Sequence, residues 1–202
     1  RIVVPFAAGG PADNYARFVG QRLSTELKQP FVIENKPGGG AVIGTDTVAK
    51  APADGYTLLM MSNTHTVNET LMPNKPFKLM DDFVGIAPVN YSDLMLVVDP
   101  SLPAQAVPEL IALAKSKPDK LNYASSGTGT PYHMAGELFK HMAGIKVTHV
   151  PYKGSSGART DVVGGQVDMM FDAVTTMSQM AKEGKVRALA TTGLTRSVPD
   201  LP

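Results

Sequence analysis

The chain of 202 residues suits one large domain or two small ones, and its 19 Lys and Arg against 18 Asp and Glu leave a formal charge of +1. Without runs of like charge it lacks the basic footprint of a nucleic-acid binder or a polybasic membrane anchor, and no apolar run is long enough to span a membrane. The absence of Cys excludes disulfides, thiolate metal sites and Cys nucleophiles, and it fits an oxidising compartment, although cytosolic proteins can also lack Cys. The 19 Gly and 16 Pro are spread among 43% hydrophobic residues, so they punctuate a fold and do not mark disorder. The sequence opens on Arg1 and runs straight into a strand, and Val198-Pro199-Asp200-Leu201-Pro202 stops in mid-loop; part of a longer protein is expected.

In chain order, short β-rich runs alternate with segments of helical period, which predicts an α/β fold with mainly parallel sheets. A strand over 2–6 leads through Gly9-Gly10 into a helix over 12–28, with Tyr15, Val19, Leu23 and Leu27 on one face, closed by Pro30. A strand over 31–34, a helix ending near Lys50 and a strand over 56–61 follow, then strands over 83–90 and 94–99. Pro100, Pro103 and Pro108 then predict a hinge, after which the alternation restarts. Helices are expected over 107–116, 131–142, 158–163 and 175–183, and strands over 121–124, 147–152, 167–172 and 186–191. The domains read as a first lobe over 1–99, a second over 100–192 and the start of a return segment over 193–202. A cleft between two such lobes is the default place for a ligand. The eleven Met are taken as core filler.

Two motifs carry the chemistry. Phe6-Ala7-Ala8-Gly9-Gly10-Pro11-Ala12-Asp13 joins a strand to a helix through small residues, where outward amides and the positive helix end suit a carboxylate or phosphate. An ordinary turn with Asp13 as helix cap explains the same residues. Ser125-Ser126-Gly127-Thr128-Gly129-Thr130-Pro131-Tyr132-His133 repeats the arrangement with hydroxyls and glycines, an anion nest or a plain cap. No Lys follows its last Gly, which argues against nucleotide triphosphates. Gly38, Gly40 and Gly44 miss the dinucleotide spacing, there is no Gly-x-Ser-x-Gly elbow, and His133, Glu137 and His141 do not form a zinc motif. Asp172 at a strand end faces either a ligand crevice or the amides of the next helix.

These loops, with Asn35-Lys36-Pro37-Gly38-Gly39-Gly40, Asp54-Gly55-Tyr56-Thr57-Leu58-Leu59, His149-Val150-Pro151-Tyr152-Lys153-Gly154 and Gly164-Gly165-Gln166-Val167-Asp168, resemble the Bug family across the whole chain. These TctC-like proteins are the extracytoplasmic solute receptors of tripartite tricarboxylate transporters. The resemblance implies a type II periplasmic binding protein whose two lobes close on a small carboxylate, without a cofactor or catalysis. It places Phe6, Ala8, Gly9, Gly10 and Asp13 at the ligand, joined by Asn63 and Thr64 after the third strand. From the second lobe it adds Ser126, Gly127, Thr128, Gly129, Thr130, His133 and Asp172, the last suited to an ammonium group in amino-acid-binding members. Ala173-Val174-Thr175-Thr176-Met177 departs from the family's Pro- and Leu-containing segment, and family chains continue beyond Pro-Asp-Leu-Pro with a portion that returns to the first lobe.

The expected function is a monomeric periplasmic receptor, secreted with a signal peptide that this sequence lacks. It would capture a di- or tricarboxylate or an aromatic acid and present it to integral membrane transporter subunits. The alternatives are the same fold handing its closed state to a signalling partner, and an α/β enzyme acting on acyl substrates. Neither a nucleic-acid nor a metal partner is expected.

Overall fold

The computed structural model describes residues 1–195 and 198–200. The chain divides into two compact units, Arg1–Asn90 and Tyr91–Pro202.

The first unit runs β1 (Ile2–Val4), α1 (Pro11–Leu27), β2 (Ile33–Asn35), α2 (Val42–Ala49), β3 (Leu58–Leu59), α3 (Asn63–Leu71) and α4 (Leu79–Asp82). Its sheet has the order β2-β1-β3, all parallel, with Ile2 opposite both Ile33 and Leu58. The central strand is wholly apolar and wholly buried, as a parallel strand covered on both faces should be. Its core is small: Ile2, Val4, Ala16 and Met60, flanked by Phe31 and Ile33.

Helix α1 meets the sheet through Ala16 and Gly20, and of the larger residues expected from its period Tyr15 packs against the core while Leu27 is 58% exposed. A side chain at position 20 would come within 2.9 Å of Ile33 Cδ1, so small residues let the helix lie close to the strands. Two helices that apolar periodicity does not reveal, α3 and α4, follow β3. The strand expected over 83–90 does not form: Val84 and Ile86 are 90% and 79% exposed, and among the described residues no strand lies beside them to take their backbone hydrogen bonds.

The second unit runs β4 (Leu94–Val98), α5 (Val107–Ser116), β5 (Asn122–Ser125), α6 (Pro131–Ala143), β6 (Thr148–Pro151), α7 (Ser155–Val163), β7 (Met169–Ala173), α8 (Val174–Lys182) and β8 (Arg187–Thr191). The sheet order is β6-β5-β7-β4-β8. Strand β5 is parallel to β6 and β7, whereas β4 is antiparallel to both β7 and β8. Side chains alternate between the faces. Leu96, Val98, Met169 and Phe171 enter one core with Leu110 and Tyr123, and Met95, Val97 and Met170 enter another with Val162 and Met177.

The pairing of β4 moves the boundary between units. Residues 94–98, expected in the first lobe, belong to the second sheet, so the break falls at Asn90 and not at 99. The Pro-rich stretch is therefore no hinge between lobes. It is an ordered loop inside the second unit, where the Arg187 guanidinium donates to the carbonyls of Pro100, Leu102 and Ala104 at 2.8–3.1 Å. Met is core filler only in part, since Met95, Met169, Met170 and Met177 are buried while Met80 and Met142 are 84% and 77% exposed. The return segment expected over 193–202 falls partly on residues outside the described set.

Candidate functional site

In the first unit every strand runs parallel, so the loops after β1 and β3 emerge at one edge of the sheet. The loop after β1 carries Phe6, Ala8, Gly9 and Gly10, and Gly10 is the N-cap of α1 with no side-chain cap. The Gly9 φ of +77° is the left-handed conformation that glycine adopts without strain. Asp13 is buried and is not the N-cap. Its Oδ2 accepts the Gly9 amide at 2.9 Å and Arg17 Nε at 3.0 Å. Burial pushes its carboxyl up, but the bonds from Arg17, Gly9 and Asn35 outweigh this and hold it below the usual range. Asp13 thus fixes the loop from behind, and Pro11 at the helix start contributes no amide of its own.

The loop after β3 meets the first through His65, whose ring lies edge-on to Phe6 at 6.5 Å. Ser62 caps α3, accepting the Thr64 amide at 3.3 Å, while His65 Nδ1 accepts the Ser62 amide at 3.1 Å. His65 Nε2 lies 2.9 Å from Thr45 Oγ1. Of the predicted pair, Asn63 is exposed and Thr64 is fully buried, its Oγ1 without a hydrogen-bond partner among the described residues.

In the second unit the loop after β5 is wired internally. The Gly127 amide donates to Ser125 Oγ at 3.1 Å, and the Thr130 hydroxyl and amide both donate to the Gly127 carbonyl, at 2.7 and 3.2 Å. The Gly129 amide donates to His133 Nδ1 at 3.2 Å, and the His133 amide reaches Thr130 Oγ1 at 3.4 Å. Gly127 sits at φ +128°, and a Cβ there would stand 3.0 Å from the Tyr152 carbonyl. The amides of Gly127, Gly129 and Thr130 therefore hold the loop's shape. Ser126 and Thr128 are the loop positions whose amides make no hydrogen bond among the described residues, and Thr128 is exposed.

Behind the loop lies a stack. His149 packs on Tyr123 at 4.8 Å and on His133 at 4.3 Å, and its Nε2 lies 2.7 Å from Ser125 Oγ. Tyr123 donates to Glu137 at 2.6 Å, and Lys140 pairs with the same carboxylate at 2.7 Å. Burial, aided by the neighbouring His133, lowers His149 to about 4, so its ring is neutral near pH 7. His133 is thus a strut of the loop in addition to a surface beside it.

Asp172 is fully buried. Its Oδ2 accepts Arg159 Nε at 2.6 Å, its Oδ1 accepts the Ala173 amide at 2.7 Å, and Tyr132 also hydrogen-bonds it. Burial pushes its carboxyl up against the pull of Arg159. It is neither the N-cap of α8, which is Ala173, nor a lone anion awaiting an ammonium group. Arg17 was within reach of sequence reasoning, because it lies one helical turn from Asp13. Arg159 was not, since its partner stands on a different element. Among the described residues no group of His, Asp and Glu could hold a metal ion, and no helix is long and apolar enough to cross a membrane.

In each unit a predicted loop ends at the N-terminus of a helix, α1 in the first and α6 in the second, with a buried Asp offset by an Arg, while Asn63 and Thr64 open a different helix, α3. The family model of the tripartite tricarboxylate transporter family receptor, TctC, matches residues 15–202. The chain belongs to this family. It is 37% identical to BugT of Bordetella pertussis over 199 residues, which cover 98% of this chain and 61% of BugT. Of the solved structures, the R. palustris protein Rpa4515 with adipate superposes with a TM-score of 0.92 at 36% identity, over 96% of this chain and 66% of that one. MatC from Rhodopseudomonas palustris with bound malate gives a TM-score of 0.92 at 32% identity, over 100% and 69%. The chain spans less than two thirds of the length of BugT.

Proposed function

We propose that the chain is the receptor part of a tripartite tricarboxylate transport system. It captures a small organic acid in the periplasm and presents it to the membrane subunits without altering it. The observation that carries this reading is the pair of strand-to-helix loops. Each ends at a helix start that is positively polarised, carries no uncompensated charge and is built from small residues that admit a ligand close to the backbone. Membership of the TctC family and the adipate and malate bound by two relatives support it. No side chain in either loop is arranged as a nucleophile with an open approach: Ser125, bonded to His149, is fully buried.

The test is isothermal titration of the purified protein with malate, succinate, citrate, adipate and benzoate. Saturable binding of at least one acid, with the acid recovered unchanged, is expected. Binding of a sugar or a cation with no response to any acid would overturn the reading.

A further inference from the structure

The two buried carboxylates differ in how closely they are enclosed. Arg17 beside Asp13 keeps 53% of its side chain exposed, whereas Arg159 keeps 12% and Asp172 none. Strand β7 runs parallel to β5 with Ala124 opposite Met170, which sets Asp172 level with Ser126, the first residue of the loop. Tyr132, in the first turn of α6, hydrogen-bonds the same carboxylate. A sealed anion therefore lies directly behind the helix start that receives the ligand's carboxylate on the reading above. Water does not screen a charge in such a place, so an uncompensated Asp172 would repel an acid and attract an ammonium group. The Arg159 Nε–Oδ2 bond cancels that field at its source.

We propose that Arg159 is a specificity-determining residue: by offsetting Asp172 it lets the loop over 126–130 accept a carboxylate and refuse an ammonium group, so the ligands are acids without an amino group. The proposal rests on the carboxylate reading of the same site. It separates malate from aspartate, which differ in the group at one carbon, a hydroxyl in malate and an ammonium in aspartate. Arg159 acts through Asp172 and need not touch the ligand.

The experiment is calorimetric titration of malate, adipate, aspartate and glutamate into the wild-type protein, Arg159→Met, Asp172→Asn and the double variant, each checked for folding by circular dichroism. The wild type should bind a diacid at least about tenfold more tightly than its amino counterpart, since like or unlike charge at a buried position is worth that much or more. Arg159→Met should weaken the diacid by about tenfold and narrow or reverse the preference toward aspartate. The double variant, which removes both charges, should restore the diacid to within a few-fold. Should Arg159→Met not fold, Asp172→Asn alone, with Arg159 left positive, should tighten diacid binding and weaken aspartate further. A wild type that prefers amino acids, or single variants with unchanged preference, overturns the proposal. A wild type that binds none of the four acids or of the wider panel overturns the carboxylate reading and the proposal with it.

Discussion

His149 makes the second-unit loop sensitive to acid. Its Nε2 bond to Ser125 Oγ, and the bonds of that hydroxyl with the Gly127 amide and carbonyl, tie the ring to the loop's most constrained residue. In the unfolded chain the ring titrates near 6.5, in the folded protein near 4. Between those values the unfolded state holds a proton that the folded state lacks, so stability is fully present above about pH 6.5 and is lost as pH falls toward 4. The ring is half-buried, and solvent screening limits the effect to on the order of 1 kcal/mol. His133 and His65, lowered chiefly by burial, act in the same direction. Thermal melts from pH 7 to 4.5 should show a shallower fall for His149→Phe than for the wild type, whatever its absolute stability. An identical slope would show that His149 does not carry the effect.

At the scale of elements, the seat of α6 on β5 includes one very close approach. Gly136 faces the ring of Tyr123, which is fully buried, and a Cβ at that position would overlap the ring carbons. The ring is fixed by Glu137 and by His149, so it cannot step aside. Gly136→Ala should therefore cost about 1–3 kcal/mol although alanine favours helices. Urea unfolding would show this as a lower midpoint at unchanged slope, and a midpoint at or above that of the wild type would refute it. The starts of α1 and α6 were legible in the sequence because Gly10-Pro11 and Thr130-Pro131 are local signals. Helix α3 was not, because its capping partner is His65 where a Glu or Gln is the usual sign, and its buried face is Thr64, His65 and Asn68, not an apolar stripe. The run over 83–90 reads as a strand by composition, but a strand exists only where a neighbour takes its hydrogen bonds. The candidate loops were legible as strand-to-helix turns of small residues. Which of their amides are already committed was not, since that depends on Ser125 and His133 reaching back into the loop.

At the scale of the molecule, the two units are built unequally. The first has a three-stranded sheet with one small core, the second a five-stranded sheet with a core on each face. Between α4 and β4 the chain runs without helix or strand, and Tyr91 is 90% exposed. Brief chymotrypsin digestion should cut at Tyr91 before Tyr123 or Phe171, which are buried, leaving a second-unit fragment identifiable by mass. Early cleavage at Tyr123 would contradict the division into units. The strand that moved the boundary, β4, has a further consequence in time. It leaves the ribosome before every other strand of its sheet, yet its two neighbours, β7 and β8, are the last two made. Until Arg187–Thr191 emerges, a strand whose interior is apolar waits with an open edge, and the sheet can close only through contacts distant in sequence, the slow and aggregation-exposed kind. The sheet of the second unit therefore cannot be completed until synthesis reaches its end: its first strand sets the place of the last, and its last strand sets the moment of closure.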